Sequence, residues 1–382
     1  MDIRNQLTKV LWTTLLLFSL TGCWDNNDLE QRTAVVAIAI DRIHEHGKKF
    51  LLTVQIPIPR KIMGGASGKK GEEAIQVMSA TGNTINEALM NIQKRVNQRL
   101  FYGHTRILVL SEEVAKEGIG NILDSFRRQP QIRRLMWPIV TKDAQQFLYV
   151  SPSIEQIPTV FIMDLMKNSA NREEIPDTTL GEVFNDLSEH SVDGGINYIV
   201  ANKTDIEWKG YALLKDDQMV GVLNAKEVYS LLQLRDGKIG GEIETPCPHS
   251  LAYGNKPSLF SFRPKSLKVD RQFRIKSSDL FELNYYIRLE GSLVETQCRT
   301  MLTKKAIDEY QLALSKELEK RANHLTQVLQ NKYRVDALKI GMMARGYAPQ
   351  WWDEKMWRDR FSKGKIRVHY DVMIRRTGMM TR

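Results

Sequence analysis

Leu20-Thr21-Gly22-Cys23 is the stretch of this chain whose residue types and order point most directly to chemistry. A leucine, two small residues and a cysteine form the lipobox read by lipoprotein signal peptidase. The thiol is alkylated by diacylglycerol first, and cleavage follows just before the modified cysteine, where Thr21 and Gly22 suit a tight protease groove. Arg4 and Lys9 supply a positive leader, and Val10 to Leu20 an apolar run of about 11 residues, the size of a signal core and too short to span a bilayer. Residues 1–22 therefore read as a lipoprotein signal peptide, and Cys23 as the site of S-diacylglycerol and N-acyl attachment. Two glyceride chains matter, because one acyl chain holds a protein only marginally, at about 0.8 kcal/mol per buried methylene. The expected location is a membrane surface.

Other reactive constellations fail on spacing. Gly64 to Gly71 imitates a phosphate loop, but only three residues separate Gly64 from Gly68-Lys69, and Lys70 stands where a hydroxyl is needed. A flexible loop is the better reading. His44-Glu45-His46 offers two imidazoles on a turn, where alternate residues seldom converge on one metal. Asp164, Asp177, Asp186 and Glu189 have no spacing that enforces a carboxylate pair. His104 reads as a hydrogen-bonded histidine in or near a core. There is no Gly-x-Ser-x-Gly elbow and no Ser-x-x-Lys. The expectation is a non-enzyme with no cofactor, no metal and no catalytic residues. Cys247 and Cys298 could pair in an exported protein, but two separate thiols in apolar surroundings is the preferred reading.

The balance of 55 Lys and Arg against 45 Asp and Glu makes the chain basic. Nucleic acid and anionic lipid compete as explanations. No basic run with interleaved aromatics stands out, the charge reads as spread along the chain, and no nucleic-acid partner is expected. A body lying near lipid headgroups is favoured. No later segment has the apolar length to cross a membrane.

The elements that must position these residues alternate along the chain. After a polar tether from Trp24 to Arg32, strands are expected at Thr33–Arg42 and Lys49–Pro59, a mobile Gly/Lys loop at Lys61–Glu73, and a strand at Ala74–Thr81. Asn83 or Thr84 caps a helix carrying Ile85, Leu89, Ile92 and Val96. A strand at Arg106–Leu110, one helix capped by Ser111, a strand at Met136–Val140 and helices at Asp143–Tyr149, Ser153–Ser169 and Leu180–Ser188 follow. Ile196–Val200 is a strand. Trp208–Leu214 and Met219–Leu223 read as a hairpin, Lys226–Leu234 as a helix and Lys238–Thr245 as a strand. Three strands (Ser258–Arg263, Ser266–Lys276, Leu283–Val294) precede a long helix, Lys304–Tyr333, whose apolar stripe suits packing on a sheet better than a coiled coil. Lys365–Arg376 alternates as a basic strand. This is an α+β pattern. The expected division is a signal peptide (1–22), an N-terminal α/β domain (23–205), a small middle α+β domain (206–257) and a C-terminal α+β domain with the long helix (258–382). Each domain is expected to be a mainly antiparallel sheet packed with helices.

An ordered set of motifs runs through the same chain. It comprises Leu20 to Asp25, Asn27-Asp28-Leu29, the strand ending Ile40-Asp41, Gly103-His104, and Ile107 to Leu110 with Ser111-Glu112-Glu113. It continues with Leu123-Asp124 to Arg128, Arg133, Ala144, Trp208-Lys209-Gly210-Tyr211-Ala212 and Val220 to Asn224. Asp336, Pro349, Trp352, Trp357, Phe361 and Ile374 to Gly378 close it. The set resembles the Ger(x)C family of spore germination lipoproteins, the C subunits of nutrient germinant receptors, over almost the whole chain. Leu338 to Arg345 departs from the family, being helical and Met-rich where a Gly/Phe-rich turn is usual. The resemblance implies three domains of mixed structure and no enzymatic activity. It also implies lipid attachment at Cys23 to the outer surface of the spore inner membrane, beside two integral membrane subunits, A and B. The expected function is a membrane-surface scaffold required for nutrient-triggered germination. The alternative is a solute-binding lipoprotein that captures a germinant for a transporter-like partner, with Trp208, Tyr211, Trp351 and Trp352 available for a pocket. A lipid-anchored hydrolase is a third possibility and lacks a nucleophile.

Overall fold

The computed structural model describes residues 32–44, 47, 49–58, 74–150, 157–189, 191–202, 205–251, 258–298 and 301–378, with residues 6 and 12 besides. Apart from residues 6 and 12, the segment expected to be a signal peptide lies outside the described residues, as do Cys23, residues 24–31 of the expected tether, the Gly/Lys loop with its near-phosphate motif, and Glu45 and His46.

In chain order the elements are β1 (Arg32–Ala34), β2 (Ala37–Arg42), β3 (Phe50–Pro57), β4 (Ile75–Gly82), α1 (Ile85–Gln93), β5 (Arg99–Phe101), β6 (Ile107–Ser111), α2 (Glu112–Glu117), α3 (Gly120–Arg127) and β7 (Trp137–Thr141). Then come α4 (Ala144–Tyr149), α5 (Pro158–Asn171), α6 (Leu180–Ser188), β8 (Gly195–Ala201), β9 (Ile206–Lys215), β10 (Gln218–Asn224), α7 (Ala225–Leu231) and β11 (Ile243–Pro246). The last unit holds β12 (Leu259–Ile275), β13 (Phe281–Thr296), α8 (Lys304–Gln327), α9 (Ile340–Tyr347), α10 (Glu354–Lys363) and β14 (Lys365–Arg376). Local chemistry sets many of the helix starts. Thr84, Ser111, Asp143, Thr179, Asn224 and Thr303 each accept a backbone N–H of the first turn. Such caps are worth about 1 kcal/mol apiece.

The class is α+β, as expected. The large sheet runs β10-β9-β8-β7-β6-β2-β3-β4, and the small one β11-β12-β13-β14. Antiparallel pairing dominates the flanks of the large sheet, but its centre, β8-β7-β6-β2, is parallel. Helices cover both faces, giving two cores. One lies around Ile38, Ile40, Leu108 and Leu110, the other around Ala37, Ala39, Ile107 and Val109. That alternation of neighbouring residues into opposite cores is the period-2 geometry of a strand buried on both sides.

The expected middle domain is divided between the two sheets. The 205/206 boundary falls between strands that pair, Ala201 opposite Ile206, so β9 and β10 finish the large sheet while β11 opens the small one. Tyr211, Leu213 and Leu223 face the C-terminal core, and Ala212 and Leu214 face the other side. The hairpin is a wall shared by both units, and about fifty residues have too little interior to form a core alone.

Three further expectations are corrected. The helix after Ser111 is broken at Gly118 (φ +127°), and Asp217 of the β9–β10 turn fills the break, accepting Gly120 N–H at 3.0 Å while its carbonyl accepts Ile119 N–H at 2.9 Å. The two strands expected at Ser258–Lys276 are one, because a bulge at Pro264/Ser266 absorbs the proline without ending the ladder. Cys247 and Cys298 form a disulfide, Cα–Cα 5.8 Å apart, in place of two thiols. It ties the segment after β11 to the end of β13, a proximity that sheet pairing creates and spacing does not show.

Helix α8 packs against the inner face of the small sheet through Tyr310, Leu314, Leu318 and Leu325. It also guards an edge. Strand β14 is outermost, and its outward N–H groups at Tyr370 and Ile374 donate to Glu319 (3.1 Å) and Gln311 (2.9 Å) of α8. Those side chains occupy donors that would otherwise recruit another strand.

Candidate functional site at the joint between the two sheets

Asp336 lies buried where the C-terminal unit meets the loop before β8. Its carboxylate accepts the N–H groups of Ile340 (3.0 Å) and Gly341 (2.6 Å), at the start of α9, and the indole N–H of Trp357 on α10 (3.1 Å). One side chain therefore fixes the relative placement of two helices. Its main chain is held across the joint as well. Asp336 N–H donates to Asp193 Oδ2 at 2.9 Å, and Asp193 N–H donates back to the Asp336 carbonyl at 3.3 Å. Burial, with the Asp193 charge adding to it, pushes the Asp336 carboxyl up to about 7 against the pull of its donors.

Arg358 of α10 joins Asp193 (3.1 Å) to Asp216 in the β9–β10 turn (2.6 Å). Lys339 reaches Asp186 at 2.7 Å and Arg345 reaches Glu189 at 2.8 Å. Gly341 permits the close approach: a Cβ there would overlap the Ser191 carbonyl oxygen and stand 2.7 Å from Trp357 Nε1. Around this joint Trp357 stacks on Phe281 (5.6 Å), with Trp352 at 5.1 Å and Phe361 at 6.2 Å. The motif residues Asp336, Trp352, Trp357 and Phe361 thus converge on one joint. Asp193, Gly341 and Arg358 were not singled out from sequence. No local pattern marks them, since Asp193 and Arg358 are 165 residues apart.

A second, half-buried carboxylate closes the place where open parallel sheets usually bind ligands. Such sites lie outside the carboxyl ends of the strands, where successive connections leave to opposite faces. Here β6 leads to α2 and α3 on one face and β7 leads to α4 on the other. Asp41, at the end of β2, accepts Ala144 N–H (2.8 Å) and Gln145 N–H (2.7 Å), the first donors of α4. Burial raises its carboxyl to about 6 despite these bonds. The chain's own anion occupies the position an exogenous one would take. Beside it a cavity of ≈ 530 Å³ opens at the ends of β7 and β8, lined by Lys142, Gln146, Phe147, Val150 and Asn202 among others.

The other sequence candidates are dispersed. Asp177 accepts the Trp137 indole N–H (3.2 Å), Asp186 and Glu189 are in ion pairs across the joint, and Asp164 is exposed on α5. His104 is exposed, packs edge-on against Phe101 (5.4 Å) and has no side-chain hydrogen bond among the described residues, in place of the hydrogen-bonded core histidine expected. His44 Nε2 meets Glu113 at 2.8 Å with Glu117 close by, but Arg42 already pairs with Glu117 at 3.0 Å. A guanidinium there does the work a cation would do. Trp208 donates to Asn197 (2.9 Å), whereas Trp351 packs on Phe273 and Trp352 on Trp357, and all three lie against the C-terminal core that includes Tyr211.

Two family models match the chain in succession. One is the spore germination protein N-terminal domain, over residues 25–201, and the other is spore germination B3/GerAC like, C-terminal, over residues 209–378. The chain belongs to the Ger(x)C family of spore germination proteins. Full-length relatives agree. Spore germination protein YndF of Bacillus subtilis (strain 168) is 25% identical over 98% of both chains, and spore germination protein KC of the same strain is 25% identical over 97% of this chain and 96% of its own. Spore germination protein GerQC of Bacillus cereus is 21% identical over 96% and 99%. The crystal structure of the GerBC protein has the same fold, with a TM-score of 0.58 at 16% identity over 88% of this chain and 96% of that one. The Ger(x)C membership ties this chain to spore germination. Among the described residues no helix is long and apolar enough to cross a membrane.

Proposed function

We propose that this chain is the lipid-anchored C subunit of a nutrient germinant receptor, a non-catalytic body held by lipid on Cys23 to the outer surface of the spore inner membrane. In this reading it works by contact with the integral membrane A and B subunits and is required for nutrient-triggered germination. The observation that carries the reading is the use made of the family's polar motif residues. Asp41, Asp336 and Trp357 have their polar atoms engaged in joining helices to strands and one sheet to the other. Their chemistry is directed inward, to hold a rigid body. The lipobox supplies the means of presenting that body, since confinement to a surface raises its effective concentration near membrane partners.

Replacing Cys23 by Ala tests the anchor. Loss of palmitate labelling, release of the protein from spore membranes and slowed nutrient germination are expected. A Cys23→Ala protein that stays membrane-bound and supports normal germination refutes the reading.

The alternative of solute capture draws on the cavity at the ends of β7 and β8, whose mixed lining of Lys142, Gln146, Asn202, Phe147 and Val150 has the polar and apolar character of small-molecule sites. Calorimetry with amino acids and sugars separates the two: heat of binding that Gln146→Trp abolishes favours capture.

A further inference from the structure

The basic surplus of the chain is not evenly spread. Residues 258–382 hold 26 Lys and Arg against 14 Asp and Glu, whereas residues 1–257 hold 29 against 31. All of the positive charge excess therefore belongs to the C-terminal unit, in contrast to the even spread read from the sequence. Such an asymmetry between halves points to a polyanionic partner for one of them.

Within that unit one sheet face has no layer over it among the described residues. The large sheet has a core on each side, and the small sheet has α8 on its inner face. On its outer face the register lines up Arg274, Glu282 and Lys365, then Asp270, Tyr286 and His369, then Lys268, Arg288 and Asp371. The acids are already engaged. Glu282 pairs with Arg367 (2.8 Å), Asp371 with Arg288 (3.0 Å), Glu290 with Arg375 (2.7 Å), and Asp270 accepts from Gln272 (3.2 Å). Lys268, Arg274 and Lys365 are exposed, with no ion-pair partner among the described residues. At the centre the exposed Tyr286 ring lies stacked on the His369 imidazole at 5.3 Å. Strand β14 alone, at 12 residues, makes the face about 40 Å long. A long open face with unpaired cations around an amphipathic aromatic is shaped for an extended anionic surface, and tyrosine rings favour the headgroup level of a bilayer.

We propose that the outer face of the β12-β13-β14 sheet docks on a phospholipid bilayer bearing anionic headgroups. The biological setting rests on the anchored reading above, but the contact itself does not need the anchor. The exposed side of α8 is the other basic candidate, and it is the poorer one because Asp308, Glu309, Glu317 and Glu319 interrupt its lysines along a narrow stripe.

The test uses the chain from residue 23 onward with Cys23→Ser, so that no lipid holds it, in co-sedimentation with vesicles of phosphatidylglycerol and phosphatidylcholine. Each basic side chain near an anionic surface contributes about fivefold to partitioning, so Lys268→Gln, Arg274→Gln and Lys365→Gln together should weaken binding on the order of a hundredfold. The matched triple change on α8, Lys304→Gln, Lys316→Gln and Lys320→Gln, should leave most of it. Binding should also fall with salt and be absent on pure phosphatidylcholine. Equal loss in both triple variants would mean that net charge acts without a defined face, and overturns the proposal. So does a protein that ignores the anionic vesicles while binding polyglutamate, which would assign the face to an acidic protein. Both outcomes are independent of whether Cys23 is acylated.

Discussion

Replacing Gly341 by Ala sets two effects of opposite sign against each other at the joint between the sheets. Gly341 is the second residue of α9, and alanine inside a helix is favoured over glycine by about 1 kcal/mol. The backbone there needs no glycine conformation, since Gly341 is not among the residues with positive φ. On local grounds the change should stabilise. Against it stands the added methyl group, which overlaps the Ser191 carbonyl oxygen and lies 2.7 Å from Trp357 Nε1. Both obstacles are poorly movable: one is backbone in the loop that carries Asp193, the other an indole held by Asp336. Relief requires α9 to back away, which stretches the 2.6 Å bond from Gly341 N–H to Asp336 and loosens the Arg345–Glu189 pair. Overpacking of this kind costs about 1–3 kcal/mol, and weakening a bond to a buried carboxylate costs about 1–3 kcal/mol more. The clash wins, and a net destabilisation of about 1–5 kcal/mol is expected after the helix gain is subtracted. Urea unfolding followed by far-UV circular dichroism reads it. A lower midpoint is expected. If Gly341→Ala instead raised the midpoint, the joint would be soft and the rigid two-sheet body assumed here would be wrong.

Two other perturbations address the same architecture. Cys298→Ser opens the disulfide to Cys247, which closes a loop across 51 positions; the chain-entropy relation puts its contribution at about 4 kcal/mol. The thermal midpoint should fall markedly, and an unchanged midpoint in non-reducing buffer would show that the bond adds nothing. Asp336 makes stability depend on pH. Its carboxyl titrates at about 7 when folded and near the ordinary aspartate value of about 3.9 when unfolded, so between these values the native state holds a proton the unfolded state lacks. That contribution, up to about 4 kcal/mol, is complete below the lower value and lost as pH rises through the higher one. Asp336→Asn removes the titration. The difference in unfolding free energy between wild type and variant should therefore shrink as pH goes from about 5 to about 8, and a pH-independent difference would refute the buried, proton-holding state.

Some of this was legible because it depends on neighbours in the chain. The caps at Thr84, Ser111, Asp143 and Asn224 act over three residues, so their helices begin where the sequence places them. The apolar stripe of α8 recurs at helical spacing, and its buried residues follow it. The family resemblance was readable for a different reason: its motif is an ordered series along the chain, and both family models match in that order. Helix α10 has a cap at Asp353 but no apolar stripe, with only Trp357 and Phe361 buried among charged residues.

What the sequence determined by itself is therefore the set of local elements, the α+β class and the membership. Tertiary structure alone decided that β9 and β10 complete the N-terminal sheet, that Cys247 meets Cys298, and that Asp193 and Asp336 lock across 143 positions. The physical reason is range. A cap or an amphipathic period is written within one or two turns of chain, whereas a buried pair is specified only when hydrophobic burial brings distant segments together and removes the water that would otherwise satisfy each partner separately.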